Sequence, residues 1–208
     1  MPENKIPSDA PKERATRLPP TERRRQLATC AVRVFARYGL GNAGHAQVAD
    51  EAAVSTPTVF LYMPNRQALI DCVLAEVDSY LVKMVIDAAA TETSASDKLL
   101  AVMQAFARAI DSEPDYVNVF LNWSTVVHEE TWPQYVDFQD RILATFESMI
   151  EQGVKNAEIP SEVNPVTGAH LVMGSAHMIA QMKFRGRDPR EINDFLSALL
   201  RGALSGRS

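Results

Sequence analysis

Apolar positions along this chain recur at spacings of three and four, and no alternating β-branched run reads as a strand. Leu27, Ala31, Val34, Phe35 and Tyr38 share one face of a helix that starts at Pro20 or Thr21, and the glycines of "YGLGN" stop it. "HAQVADEAA" (45–53) carries Val48, Ala49 and Ala52 on a second, short helix. Ser55 is a good N-cap for a third, running to about Met63, with Pro57 tolerated in its first turn. Met63-Pro64 breaks that helix. Asn65 then caps a long fourth whose apolar face includes Leu69, Val73, Val77, Leu81 and Met84.

Polar breaks at 91–96, 112–115, 129–133, 153–162 and 185–189 leave further helices near 97–111, 114–128, 133–152, 162–184 and 189–204. Pro133 and Pro189 take favoured first-turn positions. The pattern predicts an all-α chain of about nine helices. Residues 1–19 are rich in proline and charge without periodicity and read as a flexible basic arm. Residues 20–66 form a compact three-helix unit, and 67–208 a larger helical body.

Charge sharpens this division. The chain of 208 residues has a net charge of −5, yet residues 1–66 hold 10 Lys and Arg against 6 Asp and Glu, a balance of +4. The remaining 142 carry 11 basic and 20 acidic residues, or −9. A basic head on an acidic body suits a protein that touches phosphate with one end only. Hydrophobic residues at 46% are enough for a sizeable core. Two cysteines, Cys30 and Cys72, are too few for a disulfide framework, so a reducing cytoplasm is the expected compartment. No apolar run approaches the roughly 20 residues of a membrane span, and no secretory leader is expected.

Three short helices, the last two joined by a tight turn, match the helix-turn-helix, whose recognition helix enters the major groove. The small residues Ser55, Thr56, Pro57 and Thr58 would let its first turn approach bases and phosphates closely. The residues themselves go further. "VADEAAVSTPTVFLYMPNRQAL" resembles the signature of the TetR family of transcriptional regulators, in which Ala-x-Val-Ser makes the turn and a Thr-Leu-Tyr-x-His-Phe run forms the recognition helix. The chain departs at Ala53, where the family usually has Gly, and at Phe60, where Tyr is usual; Ala53 is expected to need a turn that avoids positive φ. "GHA", "TVF.Y.P.R" and "W…E.WP" are similar to the quorum-sensing master regulators of vibrios, a TetR-fold group that carries Asn where this chain has Leu61.

The resemblance implies that Thr56, Pro57 and Phe60 meet bases, with Leu61 beside them. It places Ser55, Thr58, Tyr62 and Arg66 at phosphates. Arg14 and Arg17 of the arm would enter an A·T minor groove, Arg17 most strongly, while Arg23 and Arg25 flank the first helix. Apolar Pro57 and Phe60 would read thymine methyls, so specificity should lean on A·T pairs and on shape. Arg66, in the first turn of the fourth helix, sits unfavourably for a cation unless an anion is near.

The resemblance also implies a homodimer on double-stranded DNA, with Val172, Ala176, Ile179, Phe195, Leu196 and Leu199 of the last two helices at the interface. Cys72, Phe106, Phe120, Trp123, Phe146, Met149, Met173 and His177 are candidates to line a pocket for a small hydrophobic effector, although such residues are more often core. His170 and His177 lie seven apart, but histidines at packed surfaces are commoner than ligands, so neither metal nor cofactor is expected. No Ser-His-Asp order, Gly-rich phosphate loop or HExxH motif points to an enzyme. Two functions stay open: a quorum-sensing type of master regulator, acting as repressor or activator, and a one-component repressor that an effector releases from DNA.

Overall fold

The structure, a computed structural model, describes residues 18–126 and 130–204. Within them every regular element is an α-helix: α1 (Pro20–Asn42), α2 (His45–Glu51), α3 (Thr56–Tyr62), α4 (Arg66–Ala89), α5 (Ala95–Ser112), α6 (Pro114–Trp123), α7 (Trp132–Lys155), α8 (Pro165–Phe184) and α9 (Pro189–Leu204). Residues 1–17, and with them most of the proposed arm, lie outside the described residues. No described helix is long and apolar enough to cross a membrane.

The predicted elements form where expected, and their ends explain why. Ser55, Asn65, Ser94 and Asn164 each cap a helix by accepting a backbone N–H three residues on. α1 is interrupted at Gly39 (φ 77°, ψ 165°), a conformation that favours glycine, before one last turn. α6 is shorter than predicted. It ends at Trp123, where Ser124 donates to the carbonyl of Leu121 and the chain turns.

Ala53 corrects an expectation. After α2 the N–H of Val54 bonds to the carbonyl of Ala49 and that of Ala53 to Asp50, the paired closure known as the Schellman motif. That closure puts Ala53 at φ 52°. The turn therefore does not avoid positive φ; alanine occupies the left-handed position that glycine usually fills. The same closure ends α7 with Ala157 at φ 60° and α8 with Gly186 at φ 67°.

α1 packs across α6, α4 and α2, and the short α2–α3 pair closes on itself beside it. α4 runs from this head into the body, where α5, α7, α8 and α9 pack around one another. Two ion pairs from Arg33 and Arg37 of α1 to Glu51, at 3.8 and 3.5 Å, hold α2 in place. They are largely solvent-exposed and contribute little energy beyond orientation.

Candidate nucleic-acid interface

Val59 and Met63 are fully buried and anchor α3 against the head. They fix which face looks out. Thr56 is half-buried and Pro57 exposed, while Phe60 is 44% and Leu61 79% exposed, so two large apolar side chains stand side by side in solvent on a seven-residue helix. Ser55 Oγ lies 2.8 Å from Thr58 Oγ1 and also accepts the Thr58 N–H, so both hydroxyls are held at the start of α3. Tyr62 is half-buried against the core.

His45, at the start of α2, also belongs to this surface. Its imidazole stacks on the Phe60 ring with centroids 3.9 Å apart and planes 5° from parallel. Its Nε2 lies 2.8 Å from the carbonyl of Met63. The unusual "GHA" was the only signal in the sequence, because both contacts span 15 residues or more.

Arg66 makes contacts that its position in the sequence does not show. Its guanidinium donates to the carbonyls of Leu40, Gly41 and Ala43 at 2.5–2.7 Å, three acceptors at the C-terminal end of α1. These carbonyls, carrying the negative end of the α1 dipole, answer the unfavourable position at the start of α4; no phosphate is needed for that. The guanidinium thereby spends three donors within the head, while the residue stays exposed. On α1, Arg23 bonds Gln26 at 2.6 Å and Arg25 is exposed; Arg14 and Arg17 lie outside the described residues.

The body holds an apolar cavity of about 50 Å³. Of the pocket candidates, Phe106, Phe120, Phe146 and Met173 line it. Four other candidates do not. Cys72 looks onto an outer groove between α1 and α4, beside Arg24 and Glu76, where partial burial raises its thiol pKa. The indole N–H of Trp123 donates to the carbonyl of Thr131 at 3.0 Å, with its ring against Phe138. His177 Nε2 meets Ser124 Oγ at 2.8 Å, and Met149 packs half-buried elsewhere against the core.

The expected dimer residues need correction too. Val172, Ala176 and Ile179 line the cavity, and Val172, Ile179 and Leu196 are almost wholly buried within the protomer. Only Phe195 and Leu199, with Ala176, remain half-exposed. α8 turns outward a different stripe: Leu171 at 44% and Met178 at 46% exposed, with Gly174 between them, and Val166 and Phe184 exposed near its ends. α8 is apolar nearly all round, so periodicity alone could not divide its two faces. His170 is exposed with Nδ1 at the Val166 carbonyl, far in character from the inward His177. Among the described residues no group of three or more His, Cys, Asp or Glu could hold a metal ion.

A short helix presented by a tight turn on a closely packed helical base, with a large helical body behind, is the build of a helix-turn-helix regulator. The chain belongs to the TetR family of DNA-binding transcription regulators. Residues 29–73 match the profile "Bacterial regulatory proteins, tetR family" and residues 92–202 match "Tetracyclin repressor-like, C-terminal domain". The chain is 29% identical over 185 residues to the HTH-type transcriptional regulator LuxR of Vibrio harveyi, covering 89% of this chain and 90% of that one. The same fold occurs in FadR from Bacillus subtilis in complex with stearoyl-CoA, with TM-score 0.71, 16% identity and coverage of 88% of this chain and 99% of that one. It occurs also in AibR in complex with isovaleryl coenzyme A and operator DNA, with TM-score 0.68, 14% identity and coverage of 89% and 100%.

Proposed function

We propose that the protein is a cytoplasmic homodimer that reads A·T-rich, pseudo-palindromic operators, and that it works as a quorum-sensing type of master regulator. Residues 20–66 would form the reader, preceded by a basic arm over 1–19 and followed by a regulatory and dimerising body over 67–208. The observation that carries the reading is the outward face of α3, where Phe60 and Leu61 are exposed and where α3 offers no Arg, Lys, Asn or Gln. Such a face suits thymine methyl groups and lacks the bidentate pairing that selects guanine or adenine. Thr56 and Pro57 would adjoin the same base edges, and Ser55, Thr58 and Tyr62 the phosphates.

Arginines outside α3 would add the rest. Arg14 and Arg17 would lie in the minor groove, whose negative potential is enhanced along A·T tracts, while Arg23 and Arg25 would sit close to the backbone. The outward stripe of α8, with Phe195 and Leu199 of α9, would join two protomers so that their heads reach half-sites about 34 Å apart. Incubating the protein with genomic fragments and sequencing those retained tests this directly. The expected yield is a symmetric A·T-rich motif whose affinity falls steeply with salt. A motif confined to G·C contacts, or none, overturns it.

The body cavity supports a second reading, a repressor released by a small hydrophobic effector. FadR and AibR, which share the fold, are described with acyl-CoA ligands. Ligand sites usually occupy some 300–1,000 Å³, so the present cavity would have to open. Met84, Met103 and Met173 in its wall are flexible enough to move. Operator complexes that dissociate on adding acyl-CoA of increasing chain length would favour release; complexes indifferent to every chain length favour control by abundance.

A further inference from the structure

We propose that His45 is a positioning residue for sequence reading: its imidazole holds the Phe60 ring in the orientation in which that ring meets the bases. The inference rests on the proposed contact of Phe60 with base edges.

The two ring centroids lie 3.9 Å apart and the planes are 5° from parallel, which is close face-to-face packing. The imidazole is itself fixed. Met63 O can only accept, so the Nε2 of His45 carries the hydrogen and donates across 2.8 Å. That carbonyl closes α3 and the next residue is Pro64, so it is one of the carbonyls that a helix end leaves without an intrahelical partner. One ring therefore ties the end of α3 to the start of α2 and offers its face to Phe60.

The α3 backbone has other anchors, since Val59 and Met63 are buried and the start is capped by Ser55. The Phe60 side chain, 44% exposed, has no other aromatic partner among the described residues. Removing the imidazole should thus free the ring while leaving the helix in place. A ring that is already ordered loses less rotamer freedom when it docks, and the gain falls on sites that Phe60 fits. Phosphate contacts are common to all sequences and should not change.

The test uses the full-length protein and the operator recovered by selection, measuring the ratio of operator to random-sequence affinity and the melting temperature. His45→Phe keeps a flat ring without the donor; His45→Gln keeps a donor without the ring. The Phe variant should retain most of the wild-type ratio, and the Gln variant should lose about three- to tenfold, the range expected of one aromatic pair. In the Phe60→Ala background the Gln substitution should cost nothing further, because the two act as one unit. In the free protein, ring-current shifts of the Phe60 protons should persist in the Phe variant and vanish in the Gln variant, whatever DNA is used. A Gln variant with the wild-type ratio, or losses that add, overturns the role of His45 alone when Phe60→Ala itself lowers the ratio. If Phe60→Ala leaves the ratio unchanged, the base contact fails and the positioning role falls with it. Equal losses on operator and random DNA with a lower melting temperature would make His45 a structural link, and overturn the proposal.

Discussion

The head and the body are packed with different side chains, and the difference matches what each must do. Between α1, α2 and α3 the buried positions are mostly small: Ala31, Ala43, Val48, Ala49, Ala52 and Val59, all within 5% of full burial. Small residues let short helices approach closely and leave little slack. The body is filled by Phe106, Phe120, Trp123, Tyr135, Phe138 and Phe146; the first five meet ring to ring at tilted and edge-on angles, and Phe106, Phe120, Phe138 and Phe146 line the apolar cavity. A tight base can hold a seven-residue helix steady for reading. The ring-filled body has Met84, Met103 and Met173, unbranched side chains, at its cavity wall. Both regions also expose apolar side chains, but α3 shows two side by side while α8 shows a stripe along its length.

The largest expected effect separates these two exposed surfaces. Met178→Asp should leave a folded monomer whose operator affinity is lower by at least about a hundredfold, since a single head retains little beyond non-specific binding. Sedimentation read together with circular dichroism checks it, and a folded dimer would remove α8 from the interface. Leu196→Ala provides the contrast. Its side chain is fully buried inside the protomer, so it should lower stability by about 2–5 kcal/mol, and any loss of dimer should follow unfolding.

A smaller effect tests how the head is joined to α4. Arg66→Met removes three charge-assisted bonds to the end of α1 and should cost about 1–2 kcal/mol in denaturant unfolding. The loss should be the same with and without DNA. A variant of unchanged stability but weaker, less salt-sensitive DNA binding would instead return Arg66 to the phosphates.

How much of this was legible in the sequence depended on the range of the interaction. Ser55 as a cap, Pro57 in the first turn and the stop at Gly39 are local signals, and each lies where the pattern put it. The left-handed Ala53 was not legible, because a Cβ argues for ordinary φ and only the paired closure after α2 overrides that preference. Val172, Ile179 and Leu196 were assigned to a subunit contact because α8 and α9 carry more apolar residues than one surface needs. Which of them faces inward is decided by α5 and α7, far away in sequence. Arg66 and His45 act over 15 to 26 residues, beyond any periodicity.

The helix closures give a finer comparison of head and body. Ala53, Ala157 and Gly186 hold the same left-handed position at φ 52°, 60° and 67°. Alanine is strained there, and glycine removes the strain but adds freedom to the unfolded chain. Ala53→Gly and Ala157→Gly should each therefore stabilise by about 0.5–1 kcal/mol, and Gly186→Ala should destabilise by a similar amount. Thermal unfolding of the three variants checks the set. If Ala53→Gly also loosens operator binding while Ala157→Gly does not, the strained turn contributes to holding α3.

The smallest effect concerns the seam where α6 meets α4, next to α1. Tyr116 of α6 donates to Glu76 of α4 at 3.2 Å, and Thr29 of α1 is the third neighbour. Burial first, and then the Glu76 carboxylate, push the phenol from its ordinary 10 up to about 12. The folded state thus holds this proton more tightly than the unfolded chain does. The resulting stability is fully present below pH 10 and is lost as pH rises from about 10 to 12. The phenol is partly exposed, so solvent screening keeps the contribution modest. Tyr80 and Tyr135 are also raised by burial and add to the same alkaline decline, which makes the wild-type curve alone uninformative. The difference between wild type and Tyr116→Phe isolates the seam: it should be constant below pH 10 and should shift in favour of the Phe variant above it. A difference that stays flat through pH 12 would mean that Tyr116 ionises as freely in the folded protein as in the unfolded chain, and that the hydrogen bond to Glu76 does not hold α6 against α4.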